Sequence, residues 1–350
     1  MDAAGPRSGL VVLCNGRIAH LELDPALAAR GVELGALAGA AGGEELLGAV
    51  AGPVDPFVDL ATAFAQDAVL LRVPRRVVVE QPVLVLHWVD QAGAAVFPRL
   101  VVQAGEASQV TVLDHLGTPE GLEVLVAPVA ELDAGDGSSV GYLSLQELGH
   151  RAWQIAFQAS RLGRDANLTS GVVALGGGYA RVRTDSQLAG QGGSSRLLAA
   201  YFGDGEQMHD FRTMQDHAAP KTTSNLLFKG AVEDNAHAVY SGLIRVRNGA
   251  AGTDAQQTNR NLVLSEGARA DSVPNLEIED NDVRCTHASA VGPVDEDHRY
   301  YLEARGVPPE VAERLIVLGF FDEVIAEAPV ASLRPRLRAA VASKLAGGRS

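Results

Sequence analysis

Residues 172–194 read Val172-Val173-Ala174-Leu175-Gly176-Gly177-Gly178-Tyr179-Ala180-Arg181-Val182-Arg183-Thr184-Asp185-Ser186-Gln187-Leu188-Ala189-Gly190-Gln191-Gly192-Gly193-Ser194. A short aliphatic run, a glycine turn, an alternating strand and a second glycine-rich turn follow one another with no helical segment between them. In the strand, Ala180, Val182 and Thr184 alternate with Arg181, Arg183 and Asp185, which gives one buried and one wet face. Gly176-Gly177-Gly178 has the look of a phosphate loop, but no helix-forming segment follows it, so it reads as a tight turn.

The same texture extends outward from about Asp67 to Arg284. Aliphatic runs such as Val83 to Val89, Val110 to Leu113, Val140 to Leu145, Leu226 to Phe228 and Leu243 to Val246 are separated by turn clusters. Among these are Ala104-Gly105-Glu106-Ala107, Gly135-Asp136-Gly137-Ser138 and Asn248-Gly249-Ala250-Ala251. Small residues recurring in successive turns, with aliphatic residues stacked inward, predict a solenoid, and a right-handed parallel β-helix is the first choice. Periodicity alone leaves a β-sandwich or jelly roll open, because the turn-to-turn intervals in the sequence look irregular.

Flanking regions differ. Residues 1–66 carry one strand-like run, Leu10 to Leu13, stopping at Asn15-Gly16, and then helix-rich segments at Pro25 to Ala29, Glu44 to Ala51 and Pro56 to Phe64. They are expected to form a small, mostly helical lead-in, with residues 67–285 as the β-helix core and 286–350 as a helical C-terminal domain. In that last region Asp295 is placed to cap a helix from Glu296 to Gly306, and Pro308-Pro309 open a second that ends at Gly319. A third runs from Phe320 to Ala326. The fourth, from about Val330 to Leu345, carries Leu333, Leu337, Val341 and Leu345 as an apolar seam.

Composition bounds the function. The 350 residues hold 47% hydrophobic but only 5% aromatic residues, so the core is aliphatic. Lys+Arg 29 against Asp+Glu 43 leaves a net charge of -14, which repels phosphate backbones and argues against a nucleic-acid partner. No run reaches the roughly 18 apolar residues of a membrane helix. Two distant cysteines, Cys14 and Cys285, behind a polar start lead us to expect a reducing, cytoplasmic setting.

No Walker loop, Cys-x-x-Cys pair, zincin helix or Ser-His-Asp set is present. Cys285 and His287, two apart on an extended segment, point to one face and are the candidate metal or cluster ligands. Two ligands do not complete a site, so a partner chain or an open position would have to supply the rest. The bland alternative makes Cys285 a small core residue in phase with Val283, with His287 ending the strand. His209 and His217 form a second candidate set, more simply read as exposed loop decoration. Thr222-Thr223-Ser224 read as turn hydroxyls rather than nucleophiles.

Longer strings carry a resemblance. Ser224-Asn225-Leu226-Leu227-Phe228-Lys229-Gly230, Val239-Tyr240-Ser241-Gly242-Leu243-Ile244-Arg245-Val246 and Thr253-Asp254-Ala255-Gln256-Gln257-Thr258-Asn259-Arg260-Asn261-Leu262 resemble the SufB/SufD family. So do Pro274-Asn275-Leu276-Glu277-Ile278, Asp282-Val283-Arg284-Cys285-Thr286-His287-Ala288 and Tyr301-Leu302-Glu303-Ala304-Arg305-Gly306. The likeness spans about residues 55–328. It implies a parallel β-helix and a non-catalytic scaffold subunit of the SUF iron-sulfur cluster assembly machine. It also implies pairing with a SufB-like chain through the β-helix and docking of a SufC-like ATPase on residues 308–328. Asn261-Leu262-Val263-Leu264-Ser265 lacks the cysteine typical of SufB there, and Cys285-Thr286-His287 is similar to the Cys-Ser-His of SufD.

By that resemblance His287, with Cys285 beside it, meets a transient Fe-S cluster at the SufB interface. No cofactor is expected on the isolated chain, a reduced flavin is compatible with the assembled complex, and the same edge allows a homodimer when SufB is absent. Two departures are a short N-terminal region and Ala288 where SufD often has Gly. The competing readings are a SufB-type paralogue, a polysaccharide-acting β-helix enzyme and a stand-alone metalloprotein. The enzyme would want a basic groove and a secretion signal, and the metalloprotein would use Cys285, His287 and His209 or His217.

Overall fold

In the computed structural model, which describes residues 5–347, the opening stretch forms two strands on opposite walls of a solenoid. Asn167–Ala174 belongs to one sheet and Tyr179–Leu188 to the other, and the chain crosses between them at Gly176–Gly178. A side chain at Gly176 would meet the carbonyl of Leu148 in the preceding coil at 1.9 Å, so only glycine allows this crossing. Ala180, Val182, Thr184, Ser186 and Leu188 are buried, while Arg181 and Arg183 face outward, as the alternation requires.

The pattern repeats through about 8 turns of a parallel β-helix. One sheet has 10 strands and the other a path of 9, and every strand from Val83 onward pairs in parallel with a strand of the neighbouring coil. Side-chain bonds between consecutive coils join residues 25 to 34 apart. This repeat was obscured because turn lengths vary slightly from coil to coil. Gly105, Gly135, Gly163 and Gly190 stack in a column of turns, each with backbone or Asp136 atoms of the previous coil within 2.8 Å of where a Cβ would stand. That column answers the sandwich alternative, since only stacked coils bring successive turns into such contact.

The strands are longer than the aliphatic runs suggested, typically 10 residues, as in Met208–His217 and Thr223–Val232. The reason lies inside. The lumen accepts polar side chains, so Thr213, Gln215 and His217 continue the inward phase of Phe211 where a hydrophobic pattern alone stops.

The first end of the solenoid is capped. Gly9–Cys14 pairs in parallel with Val83–Trp88 and antiparallel with Arg17–Leu23, joined by the expected turn at Asn15-Gly16. Glu33–Ala36 adds antiparallel to Val69–Val73. The lead-in therefore contributes three strands besides its helices. Of the expected helices, Pro56–Phe64 forms in full, Pro25–Ala28 is one turn, and only Gly43–Leu46 forms of the segment at Glu44 to Ala51. Glu131 holds this region to the wall. Its carboxylate accepts from the N–H groups of Gly48, Val50 and Ala51 and pairs with Arg99, both side chains being 0% exposed.

The chain turns helical later than Cys285, because the last strand runs Val283–Gly292. Asp295 caps the helix Glu296–Glu303 through the N–H groups of Asp297 and His298. The second and third expected helices are one, Pro309–Ile325, continuous through Gly319. An exposed glycine costs such a helix about 1 kcal/mol, less than is gained by burying Val317, Phe321, Val324 and Ile325 along one face. Leu333, Leu337, Val341 and Leu345 are all buried, so the final helix, Arg334–Gly347, packs on its own chain. These helices fold back over the outer face of the 10-stranded sheet and share one apolar cluster with it. Lys229 fixes the long helix through Phe320 O at 2.9 Å and Glu323, and Lys344 fixes the last through Phe202 O and Asp204, each at 2.9 Å. Residues 1–4 and 348–350 of the two terminal regions lie outside the described residues.

Candidate functional site at the open end of the solenoid

At the second end, no strand of the described residues covers Arg269–Ile278 or Val283–Gly292, which are the last members of the two sheets. Each presents a row of unpaired backbone groups. Val273, Leu276, Ile278 and Val291 on them are exposed. The lumen is therefore open here, and its mouth is lined by the inward phase of the last strand, which includes Val283, Cys285 and His287.

Cα register fixes that phase. Cys285 lies beside Ala255 and His287 beside Gln257, and both neighbours are buried, inward-facing residues of Thr253–Val263. Cys285 and Val283 pack on Ile244, Val246, Ala250 and Ala255. Cys285 is half-buried and His287 is exposed. Cys285 is in phase with the core and shares a face with His287, two residues on. His287 does not end the strand, which continues to Gly292.

Burial pushes the Cys285 thiol up, with the Asp254 carboxylate adding to the shift. The cysteine is thus held as a thiol in the free chain, and ligation would require its proton to leave. Among the described residues no group of three or more His, Cys, Asp or Glu stands close enough to hold a metal ion. Cys285 and His287 are two groups of ligand type at an open mouth, too few to hold a metal by themselves.

His209 and His217 are not loop decoration. Both sit on the strand Met208–His217, at 1% and 0% exposure. Thr222 Oγ1 donates to Ala219 O and so accepts from His217 Nδ1–H at 2.8 Å, which leaves His217 Nε2 to accept from Ser224 at 2.8 Å. Burial pushes both histidines down to about 4, helped for His209 by the charge of Lys344. They are neutral structural groups well inside the lumen, remote in register from Cys285 and His287. Thr222 serves the turn, as its sequence context suggested.

The lumen behind the mouth holds polar groups that motif reading passed over. Asn259 donates to Tyr201 Oη at 3.0 Å, Tyr201 donates to Asn261 Oδ1 at 2.6 Å, and Asn261 donates to Asn259 Oδ1 at 2.8 Å. Gln257, in the same phase and 1% exposed, has no partner among the described residues for either amide atom, and Ser272 Oγ is likewise buried with no partner among them. The alternation Thr253, Ala255, Gln257, Asn259, Asn261 is the signal: a strand with polar residues on its inward phase announces a polar lumen.

No helix among the described residues is long and apolar enough to cross a membrane. Residues 87–320 match the family model described as the SUF system FeS cluster assembly SufBD core domain. The chain is similar to an iron-sulfur cluster assembly SufBD family protein of Mycobacterium tuberculosis, 36% identical over 87% of this chain and 77% of the relative. It is similar also to the iron-sulfur cluster assembly protein SufD of Bacillus subtilis, at 29% over 82% of this chain and 66% of the relative. For SufD of Escherichia coli the figures are 27%, 83% and 70%. A β-helix with a Cys-x-His strand at its open end and a match to the SufBD core over most of its length places this chain in the SufB/SufD family of SUF-system iron-sulfur cluster assembly proteins.

Proposed function

We propose that the chain is a SufD-type scaffold subunit that carries no catalytic centre of its own and acts by pairing with a SufB-type chain. The observation that carries this reading is the position of Cys285 and His287 on an edge strand with no coil beyond it. A second β-helix adding to the two edge strands would continue both sheets and cover the exposed Val273, Leu276, Ile278 and Val291. It would also bring its own ligands to a mouth where this chain supplies two. The nascent iron-sulfur cluster is then cargo held between chains, with His287 as ligand or gate and Cys285 as support or second ligand. The region 308–328, on the long helix, is proposed to dock a SufC-type ATPase, whose hydrolysis cycle would rearrange the paired edges. In the absence of SufB, the same edges favour a homodimer.

The test is coexpression with the SufB-type and SufC-type proteins of the same source, followed by light scattering and analysis of iron and sulfide. Stable association, with iron and sulfide held by the complex and not by the lone chain, is the expected result. His287→Ala should leave the complex intact and abolish cluster assembly in vivo. Normal assembly in that variant removes His287 from the mechanism. Failure to associate, with metal or saccharide-cleaving activity in the lone chain, overturns the scaffold reading.

A further inference from the structure

A histidine that binds a metal through one ring nitrogen nearly always donates the N–H of the other to a fixed acceptor, which sets the tautomer and raises the basicity of the ligand. No hydrogen bond joins the His287 ring to another described residue. On the neighbouring strand, the residue in register with His287 is Gln257, whose Oε1 and Nε2 are both buried without a partner among the described residues. A buried amide without a partner is costly, and this one lies one strand spacing from the His287 ring.

The surroundings are built for this amide. Across the lumen stands Gly242, where a Cβ would come within 2.5 Å of Gln257 Nε2 and 2.3 Å of Tyr240 Oη. Tyr240 is already committed to Thr213 at 2.9 Å, and the adjacent Asn259, Asn261 and Tyr201 bond among themselves. The amide therefore has room without a bond to hold it, and a side-chain rotation toward the mouth breaks no bond among the described residues.

We infer that Gln257 is a positioning residue for His287: its Oε1 accepts the Nδ1–H of the imidazole and leaves Nε2 directed out of the mouth for the cluster. This rests on the reading of His287 as a ligand. Gln257 touches no reacting atom itself and acts through the ring it orients.

The experiment is a long-range proton–nitrogen correlation spectrum of the histidine-labelled full chain, with His287 assigned by its loss in His287→Ala. In the wild type the neutral ring of His287 should be in the Nδ1–H form, the minority tautomer of a free imidazole. Gln257→Leu should return it to the Nε2–H form, and Gln257→Glu, which keeps an acceptor, should restore Nδ1–H. In the coexpressed complex, Gln257→Leu should lower cluster content at limiting iron roughly 10- to 100-fold, with recovery in Gln257→Glu. An Nε2–H ring in the wild type overturns the inference, as does an unchanged tautomer in a Gln257→Leu chain that melts like the wild type. Normal cluster assembly in His287→Ala instead overturns the ligand reading, and the spectra then still report whether Gln257 holds the ring.

Discussion

Two histidines buried in the lumen, His209 and His217, each give the fold a pH dependence. His209 and His217 are pushed down to about 4 in the folded chain, against about 6.5 in an unfolded one. A group whose folded value is depressed in this way, and whose charged form is the protonated one, favours the unfolded chain once protons bind. The stability it supports is complete above pH 6.5 and is lost as the pH falls from about 6.5 to 4, by on the order of 3 kcal/mol per histidine. Below about 4 both states are protonated and this contribution stops changing. Urea melts at half-unit steps between pH 7.5 and 4 should show the loss. His217→Gln should reduce the slope between pH 6.5 and 4 by about half, while lowering stability at pH 7 by about 1–2 kcal/mol through its lost hydroxyl bonds. A slope unchanged in that variant would assign the pH dependence elsewhere.

At the scale of elements, the long helix Pro309–Ile325 has two faces with separate duties. Val317, Phe321, Val324 and Ile325 anchor it to the sheet, while Val311 and Leu315, at 45% and 49% exposure, point away. Leu315→Glu should therefore leave the melt within about 0.5 kcal/mol of wild type and weaken binding of a SufC-type partner at least tenfold, as measured by titration calorimetry. Unchanged binding would move the docking surface off this helix. The same helix shows how far its sequence could be read. Its caps and apolar residues were plain, but its continuity through Gly319 depended on burial against a sheet that lies far away in sequence. In the strands, the alternation of Ala180, Val182 and Thr184 was legible locally, whereas the length of Met208–His217 was not, since nothing local says that a lumen will accept His209, Gln215 and His217. For the site, Cys285 and His287 stood out by spacing, and their neighbour Gln257 could be found only from register. Of the lead-in strands, Gly9–Cys14 was legible as the apolar run Leu10 to Leu13 ending at Asn15-Gly16, whereas Glu33–Ala36 was missed because it gains its pairing from Val69–Val73, beyond any local window.

For the whole molecule, the pair Arg99–Glu131 joins the lead-in to the wall. Burial alone would raise the Glu131 carboxyl, but the charge of Arg99 and the N–H groups of Ala51 and Gly48 hold it below the usual carboxylate range. Glu131→Gln leaves the Arg99 guanidinium buried and unpaired, and should cost about 3–5 kcal/mol in global stability. It should also increase hydrogen exchange at residues 48–51 beyond that of the solenoid coils. A loss under 1 kcal/mol would show that the lead-in is held by its apolar contacts alone. Residues 25 to 34 apart sustain the rest of the structure, so each coil rests on the coil before it and awaits the one after. For a chain made from its first residue to its last, this gives the architecture a direction in time. The capped end takes shape while the remainder is still being translated, and the helices that clasp Phe202 and Asp204 arrive after those coils are already there to receive them.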